Sequence, residues 1–177
     1  MNARRPAVFL DRDGTLIEDV GFLGEPEGVI VLPTVVDALR TLAQHGFATI
    51  VISNQSGIGR GLLDEPKVRA VNTEIARRLG NDGVAIDGWY WCPHVSSDAC
   101  DCRKPEPLLV HRAVAEHGLR LDGGAMIGDR GSDVALGQRV GIPGILVPGP
   151  YDYVGPEPDL RASTLLEAVD WIVARAR

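Results

Sequence analysis

Short apolar runs alternate along this chain with longer segments in which apolar residues recur every three or four positions. Ala7–Leu10 reads as a buried strand, and Phe47–Ser53 as a second, β-branched and apolar on both faces as parallel strands tend to be. Ile86–Cys92, Gly124–Asp129 and Gly144–Gly149 read as three more. Between them lie helical patterns. In Pro33–Gly46, Val35, Val36, Leu39, Leu42 and Ala43 share one face, with Pro33 in the first turn and Gly46 at the end. Asp64–Gly83 follows with Asp64 as its cap, then Pro107–Gly118, Ser132–Gly141 and the closing Thr164–Ala176. Strands alternating with helices predict an α/β fold: one doubly wound parallel sheet, in a single domain over residues 1–177. Ligands of such sheets sit at the carboxyl ends of the strands. Asp11, Ser53, Cys92 and Asp129 all fall at expected strand ends, so the topology gathers them on one edge. The Pro/Gly-rich stretch Val147–Asp159 reads as a connector within the domain.

Composition narrows the partners. The net charge of −6 over 177 residues argues against nucleic acid, which wants a basic face, yet leaves room for a small phosphorylated ligand held by a few local cations. No run approaches the ~20 apolar residues of a membrane span. The apolar part of the opening MNARRPAVFLDRDG is too short for a secretory leader, so the expected compartment is the cytoplasm, and a monomer is expected. The three cysteines all lie between Cys92 and Cys102, a pattern that suits a metal in a reducing compartment better than disulfides.

The first strand runs straight into two acids, Asp11 and Asp13. Like charges this close need a cation, and Mg²⁺ is the hard dication that oxygen ligands favour. A calcium loop counted from Asp11 would want Gly and Glu where Leu16 and Phe22 stand, which excludes it. The other cluster is Cys92, His94, Cys100 and Cys102. Four soft or borderline ligands make a closed tetrahedral set, which reads as structural Zn²⁺ fixing the neighbouring Arg103 and Lys104 at the active edge.

Four stretches in order resemble the motifs of the haloacid dehalogenase (HAD) superfamily: FLDRDGTL in the form used by its phosphatases, VISNQSG with Ser53, CRKPEP with Lys104, and IGDRGSD with Asp129 and Asp133. The resemblance implies a Rossmann-like HAD fold and an aspartyl-phosphate mechanism. In it Asp11 attacks phosphorus, Asp13 moves the proton, Ser53 and Lys104 hold the phosphoryl group, and Asp133 acts one shell further out. Mg²⁺ would lie between the carboxylates of Asp11 and Asp129 and the backbone carbonyl of Asp13, with the Arg130 backbone as a further candidate.

The zinc loop at 92–102, together with DRDGT, SNQSGIGRG and DCRKP, is similar to the D-glycero-D-manno-heptose-1,7-bisphosphate phosphatases and their histidinol-phosphate phosphatase relatives, which have little or no cap domain. That likeness implies loss of the C7 phosphate from a heptose bisphosphate, with Asp19, Val20, Gly21, Phe22, Ser53, Asn54, Gln55, Ser56, Arg103 and Lys104 around the substrate. Arg103 would clamp the second phosphate, since its fork matches phosphate oxygens. Histidinol phosphate or another small sugar phosphate is the alternative substrate, and a non-catalytic zinc-stabilised binding module the alternative class. The chain departs from the family pattern in its short spacing from His94 to Cys100, in Arg130 where many relatives carry Lys, and in DVGF where DHGY is common; all three lie by the substrate pocket.

Overall fold

The structure, a computed structural model, describes residues 4–176. Six parallel strands form one sheet: β1 (Pro6–Leu10), β2 (Ala48–Asn54), β3 (Gly88–Cys92), β4 (Arg120–Gly128), β5 (Gly144–Leu146) and β6 (Leu160–Arg161). Their order is β3-β2-β1-β4-β5-β6, so the first strand lies near the centre, hydrogen-bonded to β2 and β4. The helices are α1 (Val35–Gln44), α2 (Glu65–Asn81), α3 (Leu108–His117), α4 (Gly131–Arg139) and α5 (Leu165–Arg175).

The two faces of the sheet are read from the alternation within β1. Val8 and Leu10 join a core with Leu39 and Leu42 of α1, Ile75 and Leu79 of α2 and Ile172 of α5. Ala7 and Phe9 join the opposite core with Val110 and Ala113 of α3 and Leu136 of α4. Every apolar position in β1 is therefore buried, which explains the lack of a polar phase in its sequence. Each such side chain contributes about 2 kcal/mol of burial. Among the described residues there is no second sheet that would form a cap, and no helix is long and apolar enough to cross a membrane.

The cap of α2 matches its sequence: Asp64 accepts a hydrogen bond from the Lys67 amide at 2.9 Å. The start of α1 does not. Pro33 falls before the helix, because Thr34 at its N-cap takes a left-handed backbone, φ 66°, and α1 opens at Val35. Strand β6 carries no sequence signal: it is two residues long and is defined by pairing with Ile145 and Leu146.

Between β1 and α1 the chain folds back on itself. Leu32 donates to the Leu16 carbonyl and Glu18 to that of Ile30, each at 2.9 Å, an irregular hairpin that carries Asp19–Phe22 to the carboxyl edge of the sheet.

Candidate active site

Asp11 follows β1 directly, Asp129 follows β4, and Lys104 leads from the cysteine loop toward α3, so a parallel sheet brings three distant segments to one point. There Lys104 Nζ lies 2.7 Å from Asp11 Oδ1 and 2.6 Å from Asp133 Oδ1, and donates to the Ile52 carbonyl at 2.8 Å. All four groups are buried, with Asp133 fully out of solvent and Asp11 at 7 % exposure. The backbone of Lys104 is fixed as well. Its amide donates to Asn54 Oδ1 at 3.0 Å while Asn54 Nδ2 donates back to its carbonyl at 3.3 Å.

Burial pushes the Asp11 carboxyl up to about 7, with the Lys104 ammonium pulling against it. Asp129 is raised to about 6 by burial and then by the Asp11 charge, and burial raises Asp133 too. Lys104 is disfavoured as a cation by burial, but the charges of Asp11 and Asp133 outweigh that and raise its pKa. One ammonium against three buried carboxylates leaves an excess of negative charge.

Oxygens of Asp11, Asp129 and Asp133 lie within 4.8 Å of one another. Asp133 is engaged on both sides, Oδ1 with Lys104 and Oδ2 accepting from the Arg130 amide at 3.0 Å. Asp129 is the opposite case. Both its oxygens are buried without a hydrogen bond, Arg130 Nε standing off at 3.4 Å from Oδ2. A buried carboxylate left without a hydrogen bond in this way is costly. Two glycines shape its niche: a Cβ on Gly14, whose φ is +80°, would come 2.5 Å from Asp129 Oδ2, and one on Gly149 would also collide with it. A hard dication between Asp11 and Asp129 fits this donor set.

The site opens into a cleft of about 650 Å³. Of the expected substrate contacts, Asp19, Gly21, Phe22, Asn54, Gln55, Ser56, Arg103 and Lys104 line it. Val20 does not: in the hairpin turn its side chain faces solvent at 56 % exposure. Ser53 is buried within the end of β2, its hydroxyl 3.4 Å from Gln55 Nε2.

The sequence reading gave the metal the Asp13 backbone carbonyl and not its side chain, which turns toward Arg12 and Gln55; the third carboxylate of the cluster is Asp133. The Arg130 carbonyl accepts amide hydrogen bonds from Asp133 at 3.0 Å and Val134 at 3.4 Å, so it is engaged in the first turn of α4. The Arg130 side chain instead reaches across the cleft, donating to Asp19 Oδ2 at 2.9 Å and stacking on the Tyr151 ring at 3.6 Å.

Beside the cleft the cysteine loop closes on itself. His94 Nδ1 is 3.2 Å from Cys102 Sγ, Cys102 Sγ is 3.0 Å from Cys92 Sγ, and Cys100 Sγ is 3.6 Å from both other thiols. The four donors lie within 4.8 Å of one another, a set compatible with Zn²⁺. Burial pushes the Cys92 thiol up. Burial also opposes ionisation of Cys100, yet hydrogen bonds from the Cys102 amide and the other thiols bring it to about 7. The loop is tied to the site in two places: Arg103 Nη1 donates to the His94 carbonyl at 3.1 Å, and the Gln55 amide to the Cys92 carbonyl at 2.7 Å.

Comparison with known proteins follows the same lines. The HAD-hydrolase-like family model matches residues 101–151, which hold Lys104, Asp129 and Asp133. The D-glycero-beta-D-manno-heptose-1,7-bisphosphate 7-phosphatase of Yersinia pestis is 37 % identical over 145 residues, covering 77 % of each chain. This chain belongs to that family of HAD-like phosphatases. A probable heptose-bisphosphate 7-phosphatase of Thermoplasma volcanium is 33 % identical over 77 % of this chain and 94 % of its own. Among solved structures, the D,D-heptose 1,7-bisphosphate phosphatase from B. bronchiseptica, complexed with magnesium and phosphate, superposes with a TM-score of 0.84 at 27 % identity, covering 96 % of this chain and 99 % of that one.

Three features of this HAD-like phosphatase had no counterpart in the sequence reading. Arg12 is fully buried, although an arginine between two aspartates looks solvated. Asn72, on α2, faces it across a separation of 60 residues. The connector after β5 brings Tyr151, Asp152, Tyr153 and Val154 to the cleft wall. Its only local signal was that two tyrosines stand among prolines and glycines.

Proposed function

We propose that this chain hydrolyses the C7 phosphate of a heptose 1,7-bisphosphate through an aspartyl-phosphate on Asp11. The observation that carries the reading is the Lys104 ammonium 2.7 Å from Asp11 and 2.6 Å from Asp133, with Asp129 buried and without a hydrogen bond beside them. The names of its relatives supply the substrate.

Asp11 is the nucleophile: its carboxylate attacks phosphorus as the bond to the C7 oxygen breaks. Asp13 gives that oxygen a proton, then takes one from the water that cleaves the Asp11 ester. Lys104 neutralises the nucleophile at rest and the phosphoryl oxygens in the transition state. Asp133 holds the ammonium in place from behind. Asp11 and Asp129, with the backbone of Asp13, are the ligands proposed for Mg²⁺. When bound there, Mg²⁺ offsets charge on the phosphoryl oxygens. Gln55 Nε2 orients Asp13, and Ser53, whose hydroxyl lies 3.4 Å from Gln55 Nε2, is the proposed hydroxyl donor to the phosphoryl group. Arg103 and Arg130 flank the same cleft and suit the second phosphate of a bisphosphate. Zn²⁺ on Cys92, His94, Cys100 and Cys102 is proposed as structural, since four protein donors leave no open position.

Phosphate release from heptose 1,7-bisphosphate, with Mg²⁺ and compared with histidinol phosphate, tests the proposal. The heptose ester is expected to have the higher kcat/KM. Equal or faster turnover of histidinol phosphate overturns the substrate, and no Mg²⁺-dependent release from either ester overturns the activity.

A further inference from the structure

Among the described residues Arg12 is one of the largest fully buried side chains. A guanidinium without water must be paired or it unfolds its surroundings. Each of its three guanidinium nitrogens donates to a side-chain oxygen. Nε donates to Asp13 Oδ2 and Nη2 to Asp13 Oδ1, both at 3.0 Å, a bidentate fork. Nη1 donates to Asn72 Oδ1 at 3.0 Å. The backbone beneath is fixed on both sides: the Arg12 amide donates to Asp11 Oδ1 at 2.8 Å, and its carbonyl accepts from Leu16 at 2.9 Å and Ile17 at 3.1 Å. Asn72 is itself buried, and its Nδ2 has no partner, so its one hydrogen bond is the brace on Arg12.

Gln55 Nε2 adds a third donor to Asp13, 2.9 Å from Oδ2. Both Asp13 oxygens therefore accept, and neither donates. This is the donor set that receives the charge Asp13 acquires on losing a proton. We infer that Arg12, braced by Asn72, is a positioning residue that stabilises the carboxylate formed on Asp13 during proton transfer to the leaving oxygen. The inference rests on the reading of Asp13 as the proton carrier. In that step the Asp11 oxygen bonds to phosphorus, the phosphorus–oxygen bond to the leaving group breaks with its electron pair, and the Asp13 proton moves to that oxygen. Asp13 is left as an anion in the Arg12 fork, ready to take the proton of the attacking water. Bidentate charge-assisted pairs are both stronger and more directional than single ones, which suits a group that must return to one place on every turnover.

The test uses two esters of one shape that differ in their need for a proton: phenyl phosphate, whose leaving group needs one, and 4-nitrophenyl phosphate, whose leaving group departs as an anion. With Arg12→Lys, kcat/KM is expected to fall roughly 30-fold on phenyl phosphate and about threefold on 4-nitrophenyl phosphate, part of the roughly 10²- to 10⁴-fold that a general acid supplies. Asn72→Leu leaves Arg12 in place and is expected to shift the same ratio by about fivefold. It carries the test if Arg12→Lys does not fold. Equal losses on both esters in the folded variants make Arg12 a purely structural residue and overturn the inference. Asp13→Asn separates the two levels. If it discriminates between the esters and the Arg12 and Asn72 variants do not, the positioning role alone is refuted. If Asp13→Asn shows no discrimination, the proton-carrier reading falls and the inference with it.

Discussion

The two clusters of ligating side chains lie side by side and are built on opposite principles. In the Cys92–Cys102 loop four neutral or softly ionising donors turn toward one another and away from the cleft. In the carboxylate cluster three acids crowd together out of solvent, one ammonium cannot balance them, and Asp129 has no hydrogen bond at all. Zn²⁺ would satisfy the first arrangement with no donor left over. The second keeps an excess of negative charge and faces a cavity, so it calls for a dication, and only with that charge offset would it accept an anionic phosphate. Closure against openness, rather than the presence of metal ligands, separates a structural centre from a chemical one.

The sharpest test of that contrast is to cross activity with stability. Asp11→Asn is expected to lower phosphate release by at least about 10³-fold, as loss of a nucleophile does. It should leave the melting temperature unchanged or raised, because it removes a buried charge that crowding disfavours. A clear fall in melting temperature with activity retained would reverse the assignment. Arg103→Ala comes next, because Arg103 is held by the cysteine loop yet faces the cleft. The expected loss is roughly 30-fold in kcat/KM on a bisphosphate and a few-fold at most on 4-nitrophenyl phosphate; equal losses would remove the clamp.

Cys102→Ser, or stripping with a chelator, is expected to lower the melting temperature by on the order of 10 °C. Activity should drop only a few-fold through Arg103, and elemental analysis of protein purified without chelators should find one zinc. An unchanged melting curve would mean that the loop holds itself. The smallest effect concerns pH. Asp11 and Asp129 have folded pKa values raised to about 7 and about 6, so the metal-free protein binds more protons than its unfolded chain between about pH 4 and 7. Its stability should therefore fall as pH rises through that window. Mg²⁺, which favours the ionised acids, should raise the melting temperature by about 5 °C at pH 8 and by less at pH 5. An equal shift at both values would disconnect the two carboxylates from the metal.

Much of this was legible in the chain. The strands that end in Asp11, Ser53, Cys92 and Asp129 announce themselves by short apolar runs, and a parallel sheet leaves those ends only one edge to share. The cysteine loop was legible because its ligands are close in sequence. Asp13 was read as the proton carrier with its backbone carbonyl on the metal; that its side chain lies in the fork of a buried arginine was not legible. The connector at Tyr151–Val154 read as a link between elements, and the fold makes it a wall of the cleft that stacks on Arg130.

The sequence by itself determined the five longer strands, the helices between them and the meeting of the thiols, because those follow from short apolar runs, the 3.6-residue period and ligands spaced within a few residues, and the shared edge of a parallel sheet brings Asp11 toward Asp129. Only the tertiary structure decided which way Asp13 faces, that Arg12 is dry, and that Asn72 braces it. Those depend on pairings across dozens of residues, where no local pattern marks one polar side chain as the partner of another.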